Sequence, residues 1–169
     1  MKETLSEINA LRTAGLIGQW AIGGAMGATF YLEPISTYDL DIFAIFEGSP
    51  LILTLTPIYD FLKARGHAVE GEAMMVGGWP VQFLAVESAL LREAVEQARE
   101  IDFDGEPARV MSAEHLMAIA LQTGRGKDFA RLVTFVEAQA ADETRLRATL
   151  HRHGLSAAWQ HFEQTYLNP

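Results

Sequence analysis

Apolar residues recur along this chain with two periods. Leu5, Ile8 and Leu11 share one face of a helix predicted over Thr4 to Ala14, with Thr4-x-x-Glu7 as a capping box and Gly15 as its C′ residue. The helical period returns in Leu55, Ile58, Tyr59 and Leu62. That helix starts at either Ser49-Pro50 or Thr56-Pro57 and ends at Gly66. It returns again in Leu90, Leu91, Ala94, Val95 and Ala98, over Glu87 to Glu100. Leu116, Ile119 and Ala120 follow a Ser112 cap; Phe129, Leu132, Val133 and Val136 follow a Gly124-Arg125-Gly126 turn. Two more helices are expected, from Asp142 to about His151 and from Ser156 to about Tyr166.

Strands are predicted where β-branched and aromatic residues cluster in short runs: Leu16 to Ile22, Tyr38 to Phe46, His67 to Val76 and Pro80 to Val86. Gly77-Gly78-Trp79-Pro80 joins the last two as a hairpin. Asp104-Gly105, a hairpin-turn dipeptide, splits Ile101 to Val110 into two short strands. The order of elements predicts an α+β fold in one domain, 1–169. A mixed sheet with surrounding helices takes up about residues 1–110, and a helical C-terminal third takes up about 111–169.

The 169 residues suffice for one sizeable core, and 49% hydrophobic with 21% charged residues is ordinary for a globular chain. No apolar run reaches membrane-spanning length, and Met1-Lys2-Glu3-Thr4 lacks the layout of a signal peptide. With no cysteine, disulfides and thiolate zinc sites are excluded, and a cytoplasmic location is expected. A formal net charge of −9 argues against broad, salt-driven binding of DNA or RNA, though not against one nucleotide or an RNA end held at a local basic spot.

One stretch carries candidate chemistry. Trp20-Ala21-Ile22 ends in Gly23-Gly24; a helix is predicted from about Ala25 to Leu32; Glu33-Pro34 breaks it; and a strand opens with Asp39-Leu40-Asp41. Residues i and i+2 of a strand face the same way, so Asp39 and Asp41 project together, their Cα atoms about 6.6 Å apart. Two carboxylates on one face of a buried strand repel each other and are costly to desolvate. A hard divalent cation removes both objections, Mg²⁺ first and Mn²⁺ as an alternative. Gly23 and Gly24 let a ligand approach the backbone, and the amides that open the next helix point at an arriving anion. A phosphate cradle beside a carboxylate pair suits phosphoryl or nucleotidyl transfer. Either motif alone also describes a plain turn or a solvated strand end.

In this order, Gly23-Gly24, a helix, Thr37 and Asp39-Leu40-Asp41 resemble the signature of the nucleotidyltransferase superfamily, closest to its small bacterial branch, the minimal and AbiEii-like enzymes. Glu114-His115-Leu116 through Thr123-Gly124-Arg125-Gly126-Lys127-Asp128 resembles the helix–turn–helix with an Arg-x-Lys-Asp turn found in that branch. The resemblance covers roughly Leu16 to Val136. It implies that Asp39 and Asp41 are catalytic and hold Mg²⁺ on a nucleoside triphosphate. Gly23, Gly24, Thr37, Arg125 and Lys127 would contact the nucleotide. The acceptor is left open among small molecule, RNA and protein; the branch includes toxin-like enzymes that modify RNA or protein.

The family's third acid falls, by position, on Gln82 in the strand Pro80 to Ala85. An amide can coordinate a cation through oxygen but cannot take a proton. Three readings follow: Glu70 or Glu72 supplies the missing acid, the enzyme runs on one tightly held metal, or the site binds a nucleotide without catalysis. The family's arginine ahead of Asp-x-Asp is also missing, with Ile35 and Ser36 in its place. Lys127 and Arg131, four apart, are otherwise a solvated helix face, with Asp128 a first-turn helix charge. His115, the pair His151 and His153, and Trp79 and Trp159 are read as helix-end or packing groups.

Overall fold

A computed structural model describes residues 1–33, 37, 39–46, 54–71 and 73–167. Its centre is a seven-stranded mixed sheet in the order β3-β4-β5-β2-β1-β7-β6. The strands are β1 (Trp20–Ile22), β2 (Leu40–Ala44), β3 (Ala68–Glu70), β4 (Ala73–Val76), β5 (Trp79–Ala85), β6 (Arg99–Phe103) and β7 (Glu106–Val110). Helices α1 (Lys2–Thr13) and α3 (Thr56–Ala64) belong to one side, and α2 (Gly24–Ala28) and α4 (Ala89–Glu96) to the other. The chain ends in α5 (Ala113–Thr123), α6 (Gly126–Glu137), α7 (Glu143–Arg152), α8 (Ser156–Phe162) and a π-helical turn, Glu163–Leu167. Among the described residues no helix is long and apolar enough to cross a membrane.

The period of two decides what each sheet face carries. Leu40, Ile42 and Ala44 of β2, with Val81 and Phe83 of β5, are buried against Leu5, Ile8 and Leu11 of α1 and Ile58 and Leu62 of α3. Asp41 and Phe43, and Gln82 and Leu84, therefore emerge on the opposite face, toward the C-terminal helices. There a second core forms around Leu90 and Val95 of α4, Leu116 and Leu121 of α5, and Leu132 and Phe135 of α6. β1 and β2 pair antiparallel, while β2 and β5 run parallel with Asp41 directly opposite Gln82.

The structure corrects several boundaries. Thr4 does not cap α1, which begins at Lys2 with Met1 as its N-cap and no side-chain cap bond. Instead the buried Thr4 hydroxyl donates to the Val76 carbonyl, 2.9 Å away, and Glu7 pairs with Arg65. The first strand is only Trp20–Ile22, and the helix after the glycine pair stops at Ala28. Asp39 lies just ahead of β2 rather than inside it. The third helix takes the Thr56-Pro57 start, with Leu55 as N-cap; Ser49-Pro50 lies outside the described residues. His67 to Val76 is not one strand: Gly71, at φ 62°, interrupts it. The helix expected to run to Glu100 ends at Glu96, because Arg99–Phe103 pairs with β7 across Asp104-Gly105. The Gly77-Gly78 turn and the Ser112 cap form as expected, the Ser112 hydroxyl accepting from the His115 amide.

Candidate active site

The carboxylates stand on the strand face that alternation turns toward the helices. Asp41 follows Leu40 in β2, and its main chain is held on both sides of the sheet: the Gly23 amide donates to the Asp41 carbonyl at 3.0 Å, and Gln82 is its register partner on β5. Asp39 is held by its side chain. Thr37 Oγ1 donates to the Asp39 carbonyl at 3.2 Å and reaches Oδ1 at 3.4 Å, while Gln82 Nε2 donates to Oδ2 at 3.4 Å. Asp39, Asp41 and Gln82 border one cleft of about 420 Å³.

The glycine pair makes room for this wall. Gly24 sits at φ 57°, and any Cβ there would run into the Asp41 carboxylate. A Cβ on Gly23 would come within 2.5 Å of the Phe43 ring. The expected phosphate cradle is thereby narrowed. The Gly23 amide is committed to the sheet, so the amides free at the start of α2 are those of Gly24 and the two residues after it.

The opposite wall is cationic and comes from the start of α6. Arg125 is its N-cap residue, and Lys127, Asp128 and Arg131 follow within its first turns. Asp128 is 2% exposed and receives Arg125 through Nε at 2.7 Å and Nη2 at 3.3 Å; Arg131 Nη1 lies 3.8 Å from Oδ1, the oxygen that also accepts from Arg125 Nη2. A buried carboxylate thus aims two guanidinium groups, and Lys127 stands between them in sequence. The cleft floor is apolar: Phe43 and Leu84 continue the strand face, Leu91, Leu116 and Ile119 close it from the helices, and Met111 joins them from the link between β7 and α5.

These charges act on one another. Burial pushes the half-buried Asp41 carboxyl above its ordinary range, and the Asp39 carboxylate pushes the same way; Arg131, Lys127 and Arg125 oppose them. A second groove of about 890 Å³ shares Asp39, Lys127 and Arg131 with the first and runs on past Thr37, Glu33, Thr134 and Glu137.

All eight sequence-derived candidates can be placed. Asp39, Asp41, Gln82, Gly24, Arg125 and Lys127 converge on the cleft, and Thr37 stands behind Asp39 and lines the second groove. Gly23 is the exception, turned into the sheet. Glu70 is not the missing acid: it is exposed on edge strand β3, three strand spacings, about 14 Å, from β2. The Glu72 side chain lies outside the described residues. Among the described residues no group of three His, Asp or Glu side chains could hold a metal by itself. Sequence reasoning passed over Arg131 and the aiming role of Asp128. The available signal was spacing, since Arg131 lies three residues from Asp128 and shares its helix face.

The histidines are less superficial than expected. His115 is buried, with Nδ1 2.9 Å from Ser112 Oγ and Nε2 3.2 Å from Glu93. His153 Nε2 lies 2.8 Å from Glu93, which also receives Arg152. Their acidic partner comes from α4, about sixty residues away from His153 in sequence, where spacing alone could not find it.

No protein-family model matches the sequence, and no curated protein sequence matches it. Solved structures do match. An antigenic nucleotidyltransferase-like protein from Paracoccidioides brasiliensis superposes with a TM-score of 0.55 at 13% identity, over 93% of this chain and 90% of that one. The solution structure of the antibiotic-resistance factor ANT(2'')-Ia gives 0.50 at 13% identity, over 96% of each chain. The crystal structure of ANT(2'')-Ia in complex with adenylyl-2''-tobramycin gives 0.44 at 14% identity, over 96% of each. The fold of this chain is that of nucleotidyltransferase-like proteins.

Proposed function

We propose that the protein transfers a nucleoside monophosphate from a nucleoside triphosphate to a hydroxyl of an acceptor, with Mg²⁺ at Asp39 and Asp41, in the manner of the minimal, AbiEii-like enzymes. The observation that carries this reading is the cleft itself. An acidic strand wall, Asp39 and Asp41, faces Arg125, Lys127 and Arg131 across a floor without charge. The residues fit a divalent cation. Asp41 is pushed up by burial and by Asp39, the strain a cation between two carboxylates relieves. Two protein carboxylates suit Mg²⁺, which keeps several waters and takes its remaining oxygens from substrate phosphates. When bound, it supplies charge neutralisation and polarisation at the phosphoryl oxygens.

The chain's own groups do the rest. Arg125, Lys127 and Arg131 hold the phosphate oxygens and the departing pyrophosphate, with guanidinium forks suited to paired oxygens. The first free amides of α2 add donors to the same anion. Thr37 and Gln82 fix the orientation of Asp39. Phe43, Leu84, Leu116 and Ile119 exclude water from the floor, which strengthens every charge interaction above it. The acceptor enters by the second groove, which reaches Asp39 from outside; its oxygen bonds to the α-phosphorus, the bond from that phosphorus to the α,β-bridging oxygen breaks to release pyrophosphate, and the hydroxyl proton passes to water in the open groove.

Gln82 supports a second reading, in which the cleft binds a nucleotide and transfers nothing. The two are separated by incubating the protein and Mg²⁺ with each α-labelled ribonucleoside triphosphate and a cell extract. Transfer predicts label in one acceptor class and none with Asp41→Asn. No label from any triphosphate, alongside intact nucleotide binding, would replace transfer by the second reading.

A further inference from the structure

We infer that this cleft holds one divalent cation, with Gln82 excluding a second and the cationic wall of α6 standing in its place. The inference rests on the proposed function and concerns the stoichiometry of the same site. The parallel register puts Gln82 beside Asp41 on the same sheet face, where a third carboxylate would complete a two-cation site. The side chain is not merely neutral. Its Nε2 donates to Asp39 Oδ2, so the positive end of an amide occupies the side of Asp39 that a second cation would need. The other Asp39 oxygen is within reach of the Thr37 hydroxyl.

Among the described residues no other acid on the cleft makes up the loss. Asp128 borders it but is buried between Arg125 and Arg131. Both of its oxygens accept from Arg125, and the two guanidinium groups offset its charge. Glu70 is on the far edge of the sheet. The described side chains that line the cleft include three carboxylates, Asp39, Asp41 and Asp128, and three cations, Arg125, Lys127 and Arg131. Their charges cancel. One divalent cation leaves the cleft positive and ready for a triphosphate. A second would add to that excess with no ligand of its own, at the close range where like charges repel most in a partly dry cleft. The three fixed cations already meet the phosphate oxygens that a second metal would meet.

The test counts Mn²⁺ on the full chain by loss of the free-ion electron paramagnetic resonance signal, without nucleotide. The wild type is expected to bind one Mn²⁺ per chain, and Asp41→Asn none. Gln82→Asp and Gln82→Glu, one of which suffices if the other fails to fold, are expected to bind two, with the broadened signal of a coupled pair. Two Mn²⁺ on the wild type would overturn this inference and leave the proposed function standing. A count that stays at one in both Gln82 variants would also overturn it, since Gln82 would then not be the excluding group. Zero on the wild type and on both variants would take down the cation site of the proposed function itself.

Discussion

Asp41 and Lys127 face the same cleft, yet the chain places them by different means. Asp41 is fixed by the sheet: its carbonyl accepts from the Gly23 amide just beyond β1, its register partner is Gln82, and the buried residues on either side of it leave it one direction to point. The cations ride on the first turns of α6, and only buried Asp128 aims the two arginines. Energetically the walls are unlike too. The strand wall carries a carboxyl made unfavourable as an anion by burial and by its neighbour, and the helix wall relieves part of that. A wall fixed by backbone pairing can bear electrostatic strain, because the sheet and not the site holds it in place. The helix wall is anchored by the core packing of Leu132 and Phe135, and its arginine side chains are aimed by one ion-pair cluster.

The contrast is broken most severely at Asp41. Asp41→Asn should reduce nucleotidyl transfer by about 10³-fold or more. Its melting temperature without metal should stay level or rise, because the change removes a charge the fold holds at a disadvantage. Turnover and a melting curve on one preparation check both halves. Gly24→Ala attacks the same wall from below. A Cβ at φ 57° against the Asp41 carboxylate should destabilise the protein by about 1–3 kcal/mol and weaken Mn²⁺ binding, as read by denaturant unfolding and metal titration.

The helix wall should respond in binding rather than in fold. Asp128→Asn frees Arg125 and Arg131, and is expected to raise the KM for triphosphate by about 10- to 100-fold at about 1–2 kcal/mol of stability, the latter kept small because the Arg125 side chain is 60% exposed. Lys127→Ala removes one exposed phosphate contact and should weaken triphosphate affinity by about tenfold, with Mn²⁺ stoichiometry unchanged. The smallest effect lies behind the helices. Burial would raise the Glu93 carboxyl, but hydrogen bonds from Arg152, His153 and His115 hold it at about 2, below its ordinary 4.5. A depressed carboxyl contributes stability that is present above its unfolded value and lost as pH falls from 4.5 toward 2. Glu93→Gln should therefore flatten the acid limb of the stability–pH curve within that window and leave cation binding at neutral pH untouched.

The same division governs what could be read in the sequence. Strand direction is a local property: alternation in Leu40 to Ala44 was enough to send Asp41 and Phe43 to one face, and the position of Gln82 followed from order along the chain. Hairpins announced by Gly77-Gly78 and Asp104-Gly105 were legible for the same reason. What failed depended on distant partners. Thr4-x-x-Glu7 has the spacing of a capping box, but Val76 and Arg65 supply better partners for both side chains. Ala98 continues the apolar stripe of α4, yet pairing with β7 ends the helix and turns Arg99–Phe103 into a strand. The Glu93 cluster joins three helices, and no local pattern relates them. The helix wall lies between these cases: Lys127 and Arg125 could be nominated from their turn, but that Asp128 is buried and aims them required the fold.

A metal–triphosphate site in this cleft is the central claim. The most direct test is calorimetric titration of the wild type and Asp39→Asn with each ribonucleoside triphosphate, with and without Mg²⁺. At least one triphosphate is expected to bind in a manner that requires Mg²⁺ and is lost in Asp39→Asn. Binding that is equal with and without Mg²⁺, or no binding of any triphosphate in either condition, would contradict it.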